Sequence, residues 1–190
     1  MYLFFDTETS GLPRDWSAPA SDVDNWPRLV QIAWLCCDVD GSTTAVREYL
    51  IKPRGFSISR QATQLHGITT ARARREGVDL VPVLVEFAEA ASAASTIVGH
   101  NLGFDVKVTQ AEWIRAGLAD AMADKELCCT MKASTDHCRL PGRYGYKWPT
   151  LDELHRTLFR EGFSGAHGAL ADTEACMRCF FRLRELGVIG

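Results

Sequence analysis

The chain contains no apolar run of about 18 residues, the length a helix needs to cross a bilayer, so no membrane span is expected. Its opening residues, MYLFFD, carry no basic stretch and no small-residue cleavage site, which argues against a secretory signal. An even disulfide framework is also missing. There are seven cysteines, and Cys36, Cys37, Cys128, Cys129, Cys176 and Cys179 fall in apolar periodic segments, as in a reduced cytoplasmic protein. Cys176 and Cys179 form a single C-x-x-C on a helical pattern. No second pair follows at zinc-finger spacing, so no zinc site is expected. Repeats, low-complexity tracts and linkers are absent, and 190 residues suit one α/β domain spanning 1–190. With 46% hydrophobic and 24% charged residues, the chain is globular rather than disordered. An excess of positive charge is missing: 21 Lys and Arg against 24 Asp and Glu leave a net charge of −3, which offers no global attraction for a polyanion. Basic residues gather only locally, at Arg72, Arg74 and Arg75 and again at Lys132, Arg139, Arg143 and Lys147. Each group reads equally as solvated surface or as a basic face.

The patterning is that of alternating strands and helices. Residues 2–8, 29–38 and 44–51 are rich in strand formers, and Asp40-Gly41 between the last two is a strong hairpin signal. Helical periodicity covers 79–94, 103–117, 151–160 and 169–186, with short strands at 96–100 and 126–131. On the last helix Ala169, Cys176, Cys179, Phe180 and Leu183 make an apolar stripe. Three consecutive strands followed by alternating helices and strands predict a mixed sheet with helices on both faces. The segment 10–28, rich in Pro, Ser, Asp and Trp, is the longest irregular stretch and a candidate substrate wall.

Acidic residues recur at the ends of these elements. Asp6 and Glu8 are two apart on a strand and so share a face with Tyr2 and Phe4, leaving Leu3 and Phe5 for the buried face. Carboxylates at the end of an apolar strand are costly unless solvated or bound to a cation. Asp105 opens a helix, where the dipole favours a carboxylate, just after His100 and Asn101 end a buried strand. On one continuous helix His167 and Asp172 would sit roughly 140° apart. Gly165 and Gly168 flank the histidine, so His167 is expected in a loop and Asp172 in the first turns of the following helix. Four carboxylates and an imidazole are what a two-metal phosphodiester hydrolase needs, since hard divalent ions choose carboxylate oxygens.

The order and local sequence of these segments resemble the DnaQ-like (DEDDh) family of 3′–5′ exonucleases. DTETSGL from Asp6, HNLGFD from His100 and HGALAD from His167 look like its three exonuclease motifs, and LHGIT at 65–69 like a segment lining the terminal nucleotide. The resemblance implies an RNase H-like α/β fold with a five-stranded mixed sheet flanked by helices. It implies that Asp6, Glu8, Asp105 and Asp172 hold two Mg²⁺ or Mn²⁺ ions, with His167 as general base. Backbone around Thr9, Gly11 and Leu12 would contact the 3′ nucleotide, and His66, Asn101 and Phe104 would line its pocket. A sister subfamily has tyrosine four residues before the final aspartate; here that position is Gly168, which fits the histidine version.

The expected activity is metal-dependent release of nucleoside 5′-monophosphates from nucleic acid 3′ ends, DNA ahead of RNA, with no membrane partner. An exoribonuclease or oligoribonuclease on the same scaffold is the alternative within enzymes. A polymerase-associated proofreading or idle nucleic-acid-binding module is the alternative outside them. A polymerase partner is compatible with this reading but not required by it. Trp148 is expected either to stack on a base or to join the core, with the core favoured.

Overall fold

The computed structural model describes residues Met1–Gly190. Strands β1 (Tyr2–Thr9), β2 (Leu29–Cys37) and β3 (Thr43–Leu50) form an antiparallel meander. Helices α1 (Arg60–His66), α2 (Thr70–Glu76) and α3 (Leu80–Ala93) follow, then β4 (Thr96–Gly99), α4 (Leu102–Ala116) and β5 (Glu126–Cys129). Two single-turn helices, α5 (Thr130–Ala133) and α6 (Thr135–Cys138), lead into a small ribbon of β6 (Pro141–Gly142) and β7 (Gly145–Tyr146). The last elements are α7 (Leu151–Phe159) and α8 (Ala169–Glu185). The main sheet has the order β3-β2-β1-β4-β5, with β4 and β5 running parallel to β1. This is the expected RNase H-like arrangement, and β1 lies at its centre. No helix is long and apolar enough to cross a membrane.

The two covered faces of β1 explain why its first four residues, Tyr2 to Phe5, are all apolar or aromatic instead of alternating with polar ones. Leu3 and Phe5 pack with Ile32, Trp34, Phe87 and Trp113 under α3 and α4. Phe4 packs on the other face with Leu35, Val98 and Phe180 of α8, its ring 5.3 Å from that of Phe180. The sequence reading gave only Leu3 and Phe5 a buried face. Phe4 is fully buried as well, because α8 covers the side that also carries Asp6 and Glu8. The Asp40-Gly41 turn forms as expected, with Gly41 at φ 90° and the Asp38 amide donating to Ser42.

Two expectations need correction. Residues 60–76 form α1 and α2, which periodicity did not predict. They bury little more than Ala62 and Ala73, so no apolar stripe marks them, although Ser59 and Thr69 cap their first amides. The strand expected over 126–131 stops at Cys129, since Thr130 and Met131 turn inward as the start of α5.

Candidate active site

The end of β1 and the start of α8 meet through β2. Asp6 lies opposite Ala33 and Glu8 opposite Gln31 in the ladder. The first turn of α8 is tied to the same two residues: the Ala169 amide donates to Gln31 Oε1 at 3.3 Å, and the Thr173 hydroxyl lies 3.5 Å from the Ala33 carbonyl. Asp172 is thereby delivered over the strand. Carboxylate oxygens of Asp6, Glu8 and Asp172 lie within 4.8 Å of one another.

Asp105 reaches the same cavity from the opposite element. At the β4–α4 junction a Cβ on Gly99 would come within 2.9 Å of the Leu102 side chain, and Asn101 adopts φ 63°. This tight turn points the first turn of α4 at β1. Asp105 Oδ1 accepts from the Thr7 hydroxyl at 2.6 Å and from the Thr7 amide at 3.1 Å. Thr7, between the two acids of the first motif, is a contact that sequence reasoning missed; its only signal was that position.

His167 lies, as expected, in the loop before α8, at φ 67°. That conformation is uncommon for a residue with a side chain, and it is held by the His167 amide donating to Asp172 Oδ2 at 3.2 Å. Its side chain is exposed and lines the cleft. Both it and Asp105 stand outside the compact trio.

Burial, then mutual repulsion, raises these acids. Asp6 titrates well above the usual carboxylate range, first through burial and then through Asp105, Glu8 and Asp172. Burial followed by Asp172 and Asp105 pushes Glu8 up to about 8. Burial lifts Asp105 to about 7 against the opposing Thr7 hydrogen bonds, and Asp172 to about 6 against the His167 amide. No Lys or Arg pairs with any of the four. Asp172 Oδ1 is buried with no hydrogen-bond partner. An all-oxygen donor set with an orphaned buried carboxylate oxygen and no protein cation fits hard divalent ions.

These groups line a cleft of about 750 Å³. All of the expected lining residues, Thr9, Gly11, Leu12, His66, Asn101 and Phe104, border it. Thr9 donates its hydroxyl to the Gly11 carbonyl at 2.7 Å, and Leu12 is 70% exposed at the rim. His66 accepts from the Ile68 amide at Nδ1, so its Nε2 carries the proton donated to the Thr9 carbonyl; burial lowers its pKa. The segment 10–28 is a wall, as expected: Trp16 stands against Phe104 with ring centroids 5.5 Å apart. This wall is pinned to α4. Fully buried Glu112 accepts from Arg28 Nε at 2.8 Å and the Leu29 amide at 2.9 Å, and Lys107 donates to the Trp16 and Ala18 carbonyls.

Sequence reasoning reached the opposite wall only through Trp148, and as the less favoured of two places for it. Trp148 is 60% exposed and lines the cleft with Pro149, Thr150 and Leu151, so its expected place in the core is wrong. The Thr150 capping box, with Glu153, was readable as an N-terminal helix signal. His100, lowered to about 4 by burial, donates from Nε2 to the Pro149 carbonyl at 3.0 Å and holds this wall to the end of β4.

A mixed sheet of this order, with carboxylates from β1, α4 and α8 meeting at one end, defines an RNase H-like nuclease scaffold. The exonuclease family model RNase T matches residues 3–180, and the chain belongs to that DnaQ-like exonuclease family. No curated protein matches it. Among solved structures, E. coli exonuclease I in complex with a dA16 oligonucleotide superposes with a TM-score of 0.77 at 21% identity, over 97% of this chain and 40% of that one. The zinc-bound form of the E. coli exonuclease I–single-stranded DNA complex gives a TM-score of 0.76 at the same identity, over 97% of this chain and 40% of that one. The chain thus spans about 40% of the length of these structural relatives.

Proposed function

We propose that residues 1–190 act as one exonuclease domain that removes nucleoside 5′-monophosphates from the 3′ end of DNA. The convergence of Asp6, Glu8 and Asp172 within 4.8 Å, with Asp105 in the same cleft, carries this reading. In it the four carboxylates hold two divalent ions, Mg²⁺ or Mn²⁺. Such ions, when bound, stabilise charge on the attacking and leaving oxygens of an in-line displacement. Thr7 fixes the Asp105 carboxylate by two hydrogen bonds. His167 takes the proton of the attacking water, and its loop brings the imidazole in from the open side of the cleft. Backbone around Thr9, Gly11 and Leu12 contacts the 3′ nucleotide, and His66, Asn101 and Phe104 line its pocket. All these groups come from one chain, so no polymerase is needed to complete the site. The DNA preference is supported by the structural relatives, which are complexes with DNA oligonucleotides.

The test is degradation of end-labelled DNA and RNA, single- and double-stranded, with Mg²⁺, Mn²⁺ or chelator. Mononucleotides should appear from the 3′ end of DNA, should vanish with chelator, and should be blocked by a 3′-phosphate but not by a 5′ block. Internal fragments, or equal inhibition by both blocks, would contradict the assignment. Faster release from RNA would replace DNA by RNA as substrate.

A further inference from the structure

The ribbon β6–β7 lies outside the chemistry described above, yet its composition is unlike the rest of the surface. From His137 to Leu151 there is no acidic residue, while Arg139, Arg143 and Lys147 supply three positive charges in a chain of net charge −3. The ribbon also concentrates exposed rings. Tyr144 is 89% exposed, Trp148 60% and Tyr146 52%. Trp16, on the far wall of the cleft, is the one other aromatic residue exposed to that degree. Every remaining Phe, Tyr and Trp is at least partly buried, so the exposed aromatics are gathered at the cleft and along one ribbon that leads from it.

The root of the ribbon is rigid and its tip is not packed. The Lys147 amide donates to the Leu140 carbonyl, Lys147 Nζ pairs with Glu153 at 2.6 Å, and His100 holds Pro149. At the tip the Tyr144 ring has only the Arg143 guanidinium over it, 5.1 Å from its centroid. A ring left that bare at the end of an anchored ribbon gains nothing for folding. Cation–ring pairs arranged beside a polyanion site are what a single strand uses for stacking and charge neutralisation. Lys147 is already paired with Glu153, which leaves Arg139 and Arg143 as the cations without an ion-pair partner. At about 3.3 Å per residue, Trp148 to Tyr144 spans at most about 13 Å, the reach of a few nucleotides.

We infer that the β6–β7 ribbon is the docking arm for the nucleotides that precede the 3′ terminus of a single strand. Trp148 starts the track at the cleft, Tyr146 and Tyr144 stack on successive bases, and Arg143 and Arg139 meet the phosphates. The inference rests on the exonuclease reading. It adds a second binding surface outside the catalytic cleft, and with it a preference for strands over dinucleotide-sized substrates.

The test uses the full chain and separates the two readings. Affinity for a 5′-fluorescein-labelled dT strand of about 12 nucleotides, a length within single-strand site sizes, is measured by anisotropy in chelator, where no cleavage intervenes. Hydrolysis of that strand and of the p-nitrophenyl ester of thymidine 5′-monophosphate, which fills only the cleft, is followed with metal. The Tyr144→Ala/Tyr146→Ala variant should bind the strand roughly tenfold or more weakly, the loss expected for removing stacking rings. Its loss in kcat/KM should be larger on the strand than on the ester. Tyr144→Phe in the Tyr146 wild-type background should keep affinity, whereas Tyr144→Leu, similar in bulk but without a ring, should not. Arg143→Ala should flatten the salt dependence by about one phosphate contact. Strand affinity within twofold of wild type in the double variant overturns the inference, and is also the result expected if the ribbon serves a protein partner. A wild-type chain that binds the strand through the ribbon but hydrolyses neither substrate overturns the exonuclease reading instead.

Discussion

Four acids held together, Glu8 and Asp105 buried and Asp6 and Asp172 half-buried, should make the metal-free protein sensitive to alkali. A carboxyl whose pKa in the fold lies above its unfolded value stabilises the fold only while protonated. That contribution is intact below about pH 4.5 and is lost as pH rises through the folded values, here about 6 for Asp172, about 7 for Asp105 and about 8 for Glu8. Glu8 sets the scale. Moving from 4.5 to about 8, at roughly 1.4 kcal/mol per pH unit, it removes on the order of 3–5 kcal/mol by the time it ionises. The other acids add to this less than in proportion, because each raises the next. For a chain of this size the loss corresponds to a melting temperature lower by roughly 10 °C. Divalent ions favour the ionised form and bind only the folded arrangement, so they should reverse the loss over the same window. The assay is denaturant unfolding in chelator and in Mn²⁺ at several pH values between about 5.5 and 8.5. The metal increment should grow with pH, and Asp6→Ala should shrink it and nearly abolish cleavage. A chelated protein whose stability is flat across that window, with no gain from metal, would refute the reasoning.

Other outcomes follow from single contacts. His167→Ala should lower turnover by roughly 10²–10⁴ while largely preserving Mn²⁺ affinity, since the four carboxylates remain; near-normal turnover at saturating metal would remove it as the base. Thr7→Val should weaken Mn²⁺ binding by calorimetry, because Asp105 loses its 2.6 Å hydroxyl contact, and Thr7→Ser should restore it. Equal behaviour of the two variants would assign Thr7 to packing alone. Glu112→Ala leaves the Arg28 guanidinium and the Leu29 amide without their buried acceptor; it should cost about 3–5 kcal/mol by urea unfolding. A cost below about 1 kcal/mol would mean that solvent replaces Glu112.

The sequence made the centre of the molecule legible and its rim less so. β1, β2, α4 and α8 carry strong apolar patterns because two layers of helices bury them, and the acids stand at their ends. Placing His167 in a loop needed only its flanking glycines. What stayed hidden carries little apolar burial. Helices α1 and α2 rest on capping by Ser59 and Thr69 and on two buried alanines. Trp148 misled because a tryptophan in an uncharted segment is ordinarily core, whereas here the half-buried His100 holds its neighbour Pro149 at the cleft edge. The partnership of Thr7 and Asp105 joins residues 98 positions apart and has no local signature.

The pinning of the 10–28 wall to α4 separates what can vary from what cannot. Lys107, Glu112 and Arg115 hold that wall from the same helix that carries Asp105 in its first turn. The wall therefore rides with Asp105 as one body, and its cleft-facing side chains can change without moving that acid. Exchange of the cleft-facing side chains Leu12 and Trp16, which leaves the backbone carbonyls held by Lys107 and Arg115 and the Arg28–Glu112 pair in place, is thus the natural route to new terminal-base preferences without moving Asp105. Replacement that discards Arg28 should instead disturb both at once.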